Sequence, residues 1–314
     1  MSNQSPLAGG PVPPAGRRDP PAGADPDAVA VDRLLALLDV EALEVDLFRG
    51  ISNDPGWTRV YGGQVVAQAL MAASRTVRAD RLAHSLHAYF LRPGDPAAPI
   101  VYRVERDRDG TSFATRRVVA IQHGRPIFNM AASFAIGEEG FEHAAAMPKV
   151  AGPDGLRNER ELFDRRAATT PEPFRTLWGN RDRPIEFRPV DPMDPFKPKK
   201  AKPVQHNWLR AASPVSGDPV LARCLLAFAS DMTLLDTCLM PHAVSWADPK
   251  LQVASIDHAL WFHDTPDLND WHLFAQESPR ATGGRGMNRG LIFAHDGRLV
   301  ATVMQEGLIR YRGE

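Results

Sequence analysis

Cysteine is nearly absent from this chain. Cys224 and Cys238 are the only two in 314 residues, and both fall in one apolar run. They lack the close spacing of a metal site. So low a count excludes a disulfide framework and suits a reducing compartment, so buried free thiols and a cytoplasmic location are expected. Excess charge is missing as well. Lys and Arg total 37 against 38 Asp and Glu, for a formal net charge of −1. The whole molecule therefore has no basic field for nucleic acid and no acidic tail. No apolar run reads as long enough to span a bilayer. The start, rich in Pro, Gly and Ala, has no apolar segment of the secretory kind. Residues 1–28 read as a disordered tail. "RYRGE" at the other end is not a peroxisomal address. There is no G-x-S-x-G elbow, no P-loop and no H-E-x-x-H. "GGRGMNRG" has glycines without the dinucleotide spacing, and a strand follows it. No cofactor and no metal are expected.

What is present is a repeat. "RRVVAIQHGRPIFNMAASFAI" and "RGMNRGLIFAHDGRLVATVMQEG" each read as a strand, a turn and a returning strand. His123-Gly124 and Asp296-Gly297 suit tight hairpin turns. Superimposing Gly124 on Gly297 pairs Arg116 with Arg289, Arg125 with Arg298, and Ala132 with Gln305. His87-Ala88 pairs with His258-Ala259 at a spacing two residues different. Each hairpin follows a largely apolar helix, "YGGQVVAQALMAASRTV" or "DPVLARCLLAFASDMTLLDTCLM". Pro219 suits the first turn of the latter and Pro241 its end. A helix apolar on most sides is buried on most sides. A curved antiparallel sheet wrapped round it is one packing solution. Residues 29–140 then form a first unit, 141–183 a connector with "ERELFDRRAA" as a helix, and 184–314 a second unit. Ala28 to Phe48 read as one or two short helices. "DPFKPKKAKP" is a basic, Pro-rich loop, either solvated or touching a substrate's phosphates.

Some polar residues of the second unit have no counterpart in the first. On one face of its helix, Asp231 sits among Ala227, Phe228, Leu234 and Leu235. The first helix carries no acid. Asp236 is a rival carboxylate five residues on, in the last turn, where the helix dipole disfavours an anion. Ser255 opens the next strand, opposite His84 of the first unit. Gln305 extends the apolar face of Leu299, Ala301 and Val303, and a buried amide without partners costs roughly 1–3 kcal/mol. A carboxylate, a hydroxyl and an amide together can hold one water, which is how a general base directs water at an electrophile. A Ser255–His258 triad with Asp257 is disfavoured, because a regular strand points Ser255 and His258 to opposite faces.

These residues resemble the acyl-CoA thioesterase II family from about Leu34 to Arg310. "LFRG", "YGGQVVAQAL", "HSLHAYFLRPGD" and "DGTSFATRRVVAIQHGRPIFNMAASF" carry the likeness in the first unit. "GFEHAAAMP", "PDGL" and "FRPVDP" continue it through the connector, and "WLRA", "FASDMTLLDTCLMPH", "ASIDHALWFH" and "LVATVMQEG" carry it in the second. The resemblance implies an α+β double hotdog fold: two tandem units, each with a buried helix wrapped by a curved antiparallel sheet. It implies hydrolysis of fatty acyl-CoA, medium- to long-chain, to fatty acid and CoA by direct attack of water. Its catalytic trio falls on Asp231, Ser255 and Gln305, with Ser255 a departure from the family's Thr. Acyl-CoA is the expected partner, with no membrane span and possible assembly into homo-oligomers. Two alternatives stay open. A hotdog hydratase or dehydratase wants an Asp and a His near one helix, for which Asp236 and His242 are the nearest pair. The other is a non-catalytic acyl-CoA-binding module.

Overall fold

The computed structural model describes residues 23–52, 58–172 and 174–312. Most of the expected tail lies outside these residues. The chain is already helical at Pro26, because Asp25 caps the helix by accepting from the Asp27 amide and Pro26 occupies its first turn. In chain order the elements are α1 (Pro26–Leu38), β1 (Glu41–Glu44), β2 (Leu47–Gly50), α2 (Gly62–Ser74), β3 (Leu82–Phe90), β4 (Ile100–Asp109), β5 (Phe113–Gln122) and β6 (Arg125–Ala135). The segment that follows contributes α3 (Glu159–Asp164) and α4 (Phe174–Gly179). Then come β7 (Ile185–Pro189), β8 (Val204–Ala211), α5 (Pro219–Ser230), a 3-10 stretch (Leu234–His242), β9 (Leu251–Ser255), β10 (Asp257–Phe262), β11 (His272–Thr282), β12 (Arg285–Ala294) and β13 (Leu299–Tyr311).

The sheet runs β1-β2-β4-β5-β6-β3-β10-β13-β12-β11-β8-β7, with β9 also on β13. It joins two similar halves where β3 and β10 pair antiparallel, His258 opposite Ala88. The apolar helices α2 and α5 pack on each other inside it, and their residues dominate one core with Leu86, Phe128, Phe134, Phe274 and Val303. This is the double hotdog arrangement. Residues 41–48, expected to be helical, instead belong to a hairpin of residues 41–50 turning at Asp46 (φ 58), held because β2 pairs with β4. Sheet pairing outweighs the helix preference of Glu, Ala and Leu, because tertiary context overrides local propensity.

The expected single helix from Pro219 onward is broken. Asp218 caps its start, but α5 ends at Ser230 and Asp231 is its C-cap. The whole run Pro219–His242 is long and apolar enough to cross a membrane on those grounds alone, contrary to the reading above, yet it is largely buried in the fold. The hairpins also correspond differently from their sequences. Ala120 faces Phe128 across the first turn, whereas Ile292 faces Ala301 across the second, which is one residue longer. Arg116, opposite Ala132, therefore matches Asn288, opposite Gln305. Arg289 is exposed while Arg116 and Asn288 are both buried.

Candidate active site

A bulge builds the site. Ser255 of β9 faces Gly307, but Ala259 of β10 faces Met304, so four steps on one strand oppose three on β13. The extra residue is Ile256. Its amide donates to the Glu306 carbonyl and its carbonyl accepts from the Phe90 amide of the first unit, both at 2.9 Å. A bulge of this kind re-aims the side chains beyond it. Ser255 and His258 consequently both reach Gln305, and the expectation that they diverge fails because the strand is not regular.

The three expected site residues converge. Gln305 Nε2 donates to Asp231 Oδ1 at 2.5 Å and to Ser255 Oγ at 3.1 Å. Gln305 is fully buried, and the Asp231 side chain is 5% exposed. Among the described residues, Gln305 Oε1 is buried without a hydrogen-bond partner. Burial pushes the Asp231 carboxyl up to about 6, against opposing pulls from Gln305, the Gly63 amide, Arg59 and Ser255. Asp236 is not part of this group. It lines a separate cavity of ≈ 150 Å³ with Trp178, Trp246 and Arg166, and none of the three residues lines that cavity. Burial, then Glu159, raises Asp236 to about 7. Among the described residues no hydrogen bond or ion pair joins Asp236 to His242.

The site also draws on residues that sequence reasoning passed over. The Gly63 amide of α2 hydrogen-bonds Asp231. A side chain at Gly62 would meet Asp231 Oδ2 at 2.7 Å, and one at Gly63 would meet the Phe228 carbonyl at 2.5 Å. The glycine pair thus lets the start of α2 press against the end of α5. The Tyr61 hydroxyl donates to the Phe228 carbonyl at 2.8 Å, satisfying one of the open carbonyls at the end of α5. Arg59 Nη2 donates to the Val253 carbonyl of β9. His258 is fully buried, with Nδ1 3.3 Å from Gln305 Nε2 and 3.9 Å from Asp231 Oδ1. Burial drives its pKa down to about 4. The "YGG" at a helix start was the available signal for the first group, since two glycines there imply close approach. Nothing in the sequence signalled the bulge. Among the described residues no group of three His, Cys, Asp or Glu side chains is placed to hold a metal ion.

Fold and site together define a double hotdog protein with a buried carboxylate–amide–hydroxyl cluster at the junction of its units. Two family models match the chain: "Acyl-CoA thioesterase" over residues 178–308 and "Acyl-CoA thioesterase N-terminal domain" over residues 53–135. The chain is 43% identical over 281 residues to acyl-CoA thioesterase 2 of Haemophilus influenzae, covering 90% of this chain and 98% of that protein. The crystal structure of an acyl-CoA thioesterase II, TesB2, from Mycobacterium marinum is similar at TM-score 0.73 and 42% identity, covering 88% of this chain and 98% of that one. A hotdog-fold protein of unknown function from Alicyclobacillus acidocaldarius shares the fold at TM-score 0.69 and 18% identity, over 88% of this chain and 98% of that one. The chain belongs to the acyl-CoA thioesterase family.

Proposed function

We propose that this chain hydrolyses fatty acyl-CoA thioesters with medium- to long-chain acyl groups to free fatty acid and CoA, by direct attack of water. The observation that carries the reading is the convergence of Asp231, Ser255 and Gln305 at the junction of α2 and α5. Asp231 is the general base, and a carboxyl at about 6 is a far better proton acceptor near neutral pH than an ordinary Asp. Ser255 and Gln305 hold the water and direct it. Negative charge developing on the thioester oxygen needs fixed donors. The start of α2, with no side-chain cap, offers first-turn amides beyond the one that Gly63 gives to Asp231. The proton moves from water to Asp231 and then to the departing CoA thiolate.

Residues 29–140 and 184–314 act as the two units, with all three site side chains from the second. The protein works in the cytoplasm, as its two buried free thiols favour, and assembles as an oligomer of double hotdog chains. The 3.9 Å approach of His258 to Asp231 gives the hydratase alternative its one specific support. Against it, the ring is fully buried and bonded on both nitrogens. Thiol release from saturated acyl-CoAs of graded length tests the proposal. CoA liberated with an optimum at medium to long chains is expected. Hydration of enoyl-CoA without thiol release overturns it.

A further inference from the structure

The second unit carries one buried polar residue more than the expected trio, and its place in the repeat is informative. Ala88 pairs with Met130 in the first unit, and Leu260 pairs with Val303 in the second. Met130 and Val303 occupy matching places on the strands that return from the two turns. Two residues back, Leu86 pairs with Ala132, and the same step in the second unit sets His258 against Gln305. His258 is thus the counterpart of Leu86 rather than of the exposed His87. An apolar pair, Leu86 and Ala132, fills this position in one unit. A bonded His and Gln fill it in the other. The fold itself does not require a histidine here.

The hydrogen bonds decide which ring nitrogen carries the proton. At the end of α5 the Asp231 amide turns to the Ala229 carbonyl. That leaves the Ala227 carbonyl to the Ser230 hydroxyl, which donates to it at 2.9 Å. A hydroxyl has one hydrogen. Ser230 Oγ therefore accepts from His258 Nε2, also at 2.9 Å. Burial keeps the ring neutral near pH 7. A neutral ring protonated at Nε2 offers a lone pair at Nδ1, which faces Gln305 Nε2. Nε2 of the Gln305 amide then faces acceptors only, Asp231 Oδ1, Ser255 Oγ and, at 3.3 Å, His258 Nδ1, and of its two hydrogens one serves Asp231 while Ser255 and His258 share the other. Turned over, its oxygen would lie against all three.

We propose that Ser230 and His258 are a positioning pair that fixes which way the Gln305 amide faces, keeping Nε2 on Asp231 and leaving Oε1 free to accept from the attacking water. His258 touches no reacting atom and acts through Gln305. The role of Gln305 rests on the thioesterase reading above; the orientation of its amide does not.

Two measurements test this. The first needs no substrate. Nitrogen NMR of the ring, assigned by difference against His258→Leu, is expected to show the tautomer protonated at Nε2 in the wild-type protein. A ring protonated at Nδ1 overturns the proposal whatever the enzyme hydrolyses. The second is kinetic. His258→Leu copies the residue that the first unit uses, and is expected to lower kcat about 10- to 100-fold with KM little changed. That is below the 10²–10⁴-fold loss typical of a general base. In a Gln305→Ala background the same substitution is expected to cost less than about twofold, since groups that act through one another are not additive. His258→Asn, which keeps a polar atom near Nδ1, is expected to recover part of the loss. Equal losses in both backgrounds overturn the proposal while leaving thioester hydrolysis standing. Absence of CoA release by the wild-type protein removes the thioesterase reading and leaves the tautomer result to judge the pair.

Discussion

Asp231, the residue that caps the end of one central helix, meets the backbone amide of Gly63 in the first turn of the other. The contact resolves an electrostatic problem. The C-terminal end of a helix disfavours an anion, and Asp231 sits at the end of α5. The N-terminal end of α2 favours one. A carboxylate that would be out of place in the second unit alone is tolerated where the two units meet. The site therefore belongs to the junction, although its three side chains all come from one half.

Replacing Asp231 by Asn is expected to lower turnover by on the order of 10²–10⁴-fold, since Asn matches the shape of Asp but is a far poorer base. Asp236→Asn is expected to cost much less, because Asp236 lines a different cavity. Thiol-release kinetics on both variants check this. A reversal of the two effects assigns the base to Asp236.

The same substitution is expected to stabilise the protein. The Asp231 carboxyl is raised from 3.8 to about 6 by burial. Between those values the folded state holds a proton that the unfolded chain has released. Stability therefore falls as pH rises from about 4 to 6, and stays lost above that. The shift corresponds to about 3 kcal/mol at most. An asparagine side chain has no charge to bury, so Asp231→Asn is expected to unfold at higher urea than the wild type at pH 8, with the gap closing near pH 4. An equal gap at both values contradicts the raised carboxyl.

Activity is expected to follow the same ionisation in the opposite sense. The base must be ionised, so kcat/KM should rise with pH through a limb near 6 and then level off. A rate that is flat between pH 5 and 8 is inconsistent with Asp231 as base.

The legible and illegible parts of this molecule divide by range. Gln305 and Asp231 stand out because each puts a polar atom on an apolar face, which periodicity alone reveals, whereas Ser255 is unremarkable by pattern and is marked by the family resemblance. The two-unit fold was readable because the hairpins repeat. Arg116 was matched to Arg289 wrongly, since one extra residue in the second turn shifts every earlier position by one. His258 was set aside for a similar reason, because the bulge at Ile256 reverses the facing of the strand. Single-residue insertions in strands leave little trace in composition, and they change which face a side chain occupies. The end of α5 at Ser230 was missed because Met232, Leu234 and Leu235 continue the apolar pattern past the break. The glycine pair at the start of α2 signals a close approach, but that Gly63 meets Asp231 depends on how two helices far apart in sequence pack, which no local pattern encodes.

Gly63→Ala is expected to impair both stability and turnover. The added carbon would lie 2.5 Å from the Phe228 carbonyl and 2.6 Å from the Tyr61 ring. Relieving that overlap moves α2 away from α5, at a cost of about 1–3 kcal/mol for overpacking. It also draws the Gly63 amide off Asp231. Chemical denaturation and kinetics on Gly63→Ala check both effects. In contrast, Gly124→Ala sits in an open turn with nothing within 4 Å, so its strain at φ 70 is expected to lower stability without lowering kcat.

Ser255 and Gln305 are expected to act on one water, with neither serving as a nucleophile. Ser255→Thr should be tolerated, because the hydroxyl is kept and the added methyl group restrains it. Ser255→Ala and Gln305→Ala should each lower turnover, and the double variant should lose less than the product of the two, because both groups hold the same molecule. A nucleophilic serine needs a base within hydrogen-bond reach. Ser255 Oγ does have Asp231 beside it, so geometry leaves a covalent route to be tested directly. Single-turnover reactions with labelled acyl-CoA are expected to release CoA and free acid together, with no label on the denatured protein. Label retained on Ser255, or a burst of CoA ahead of the acid, would replace water by Ser255 as the attacking group. Ser255→Ala would then abolish turnover outright instead of lowering it, so the two mechanisms also separate on the size of that single loss.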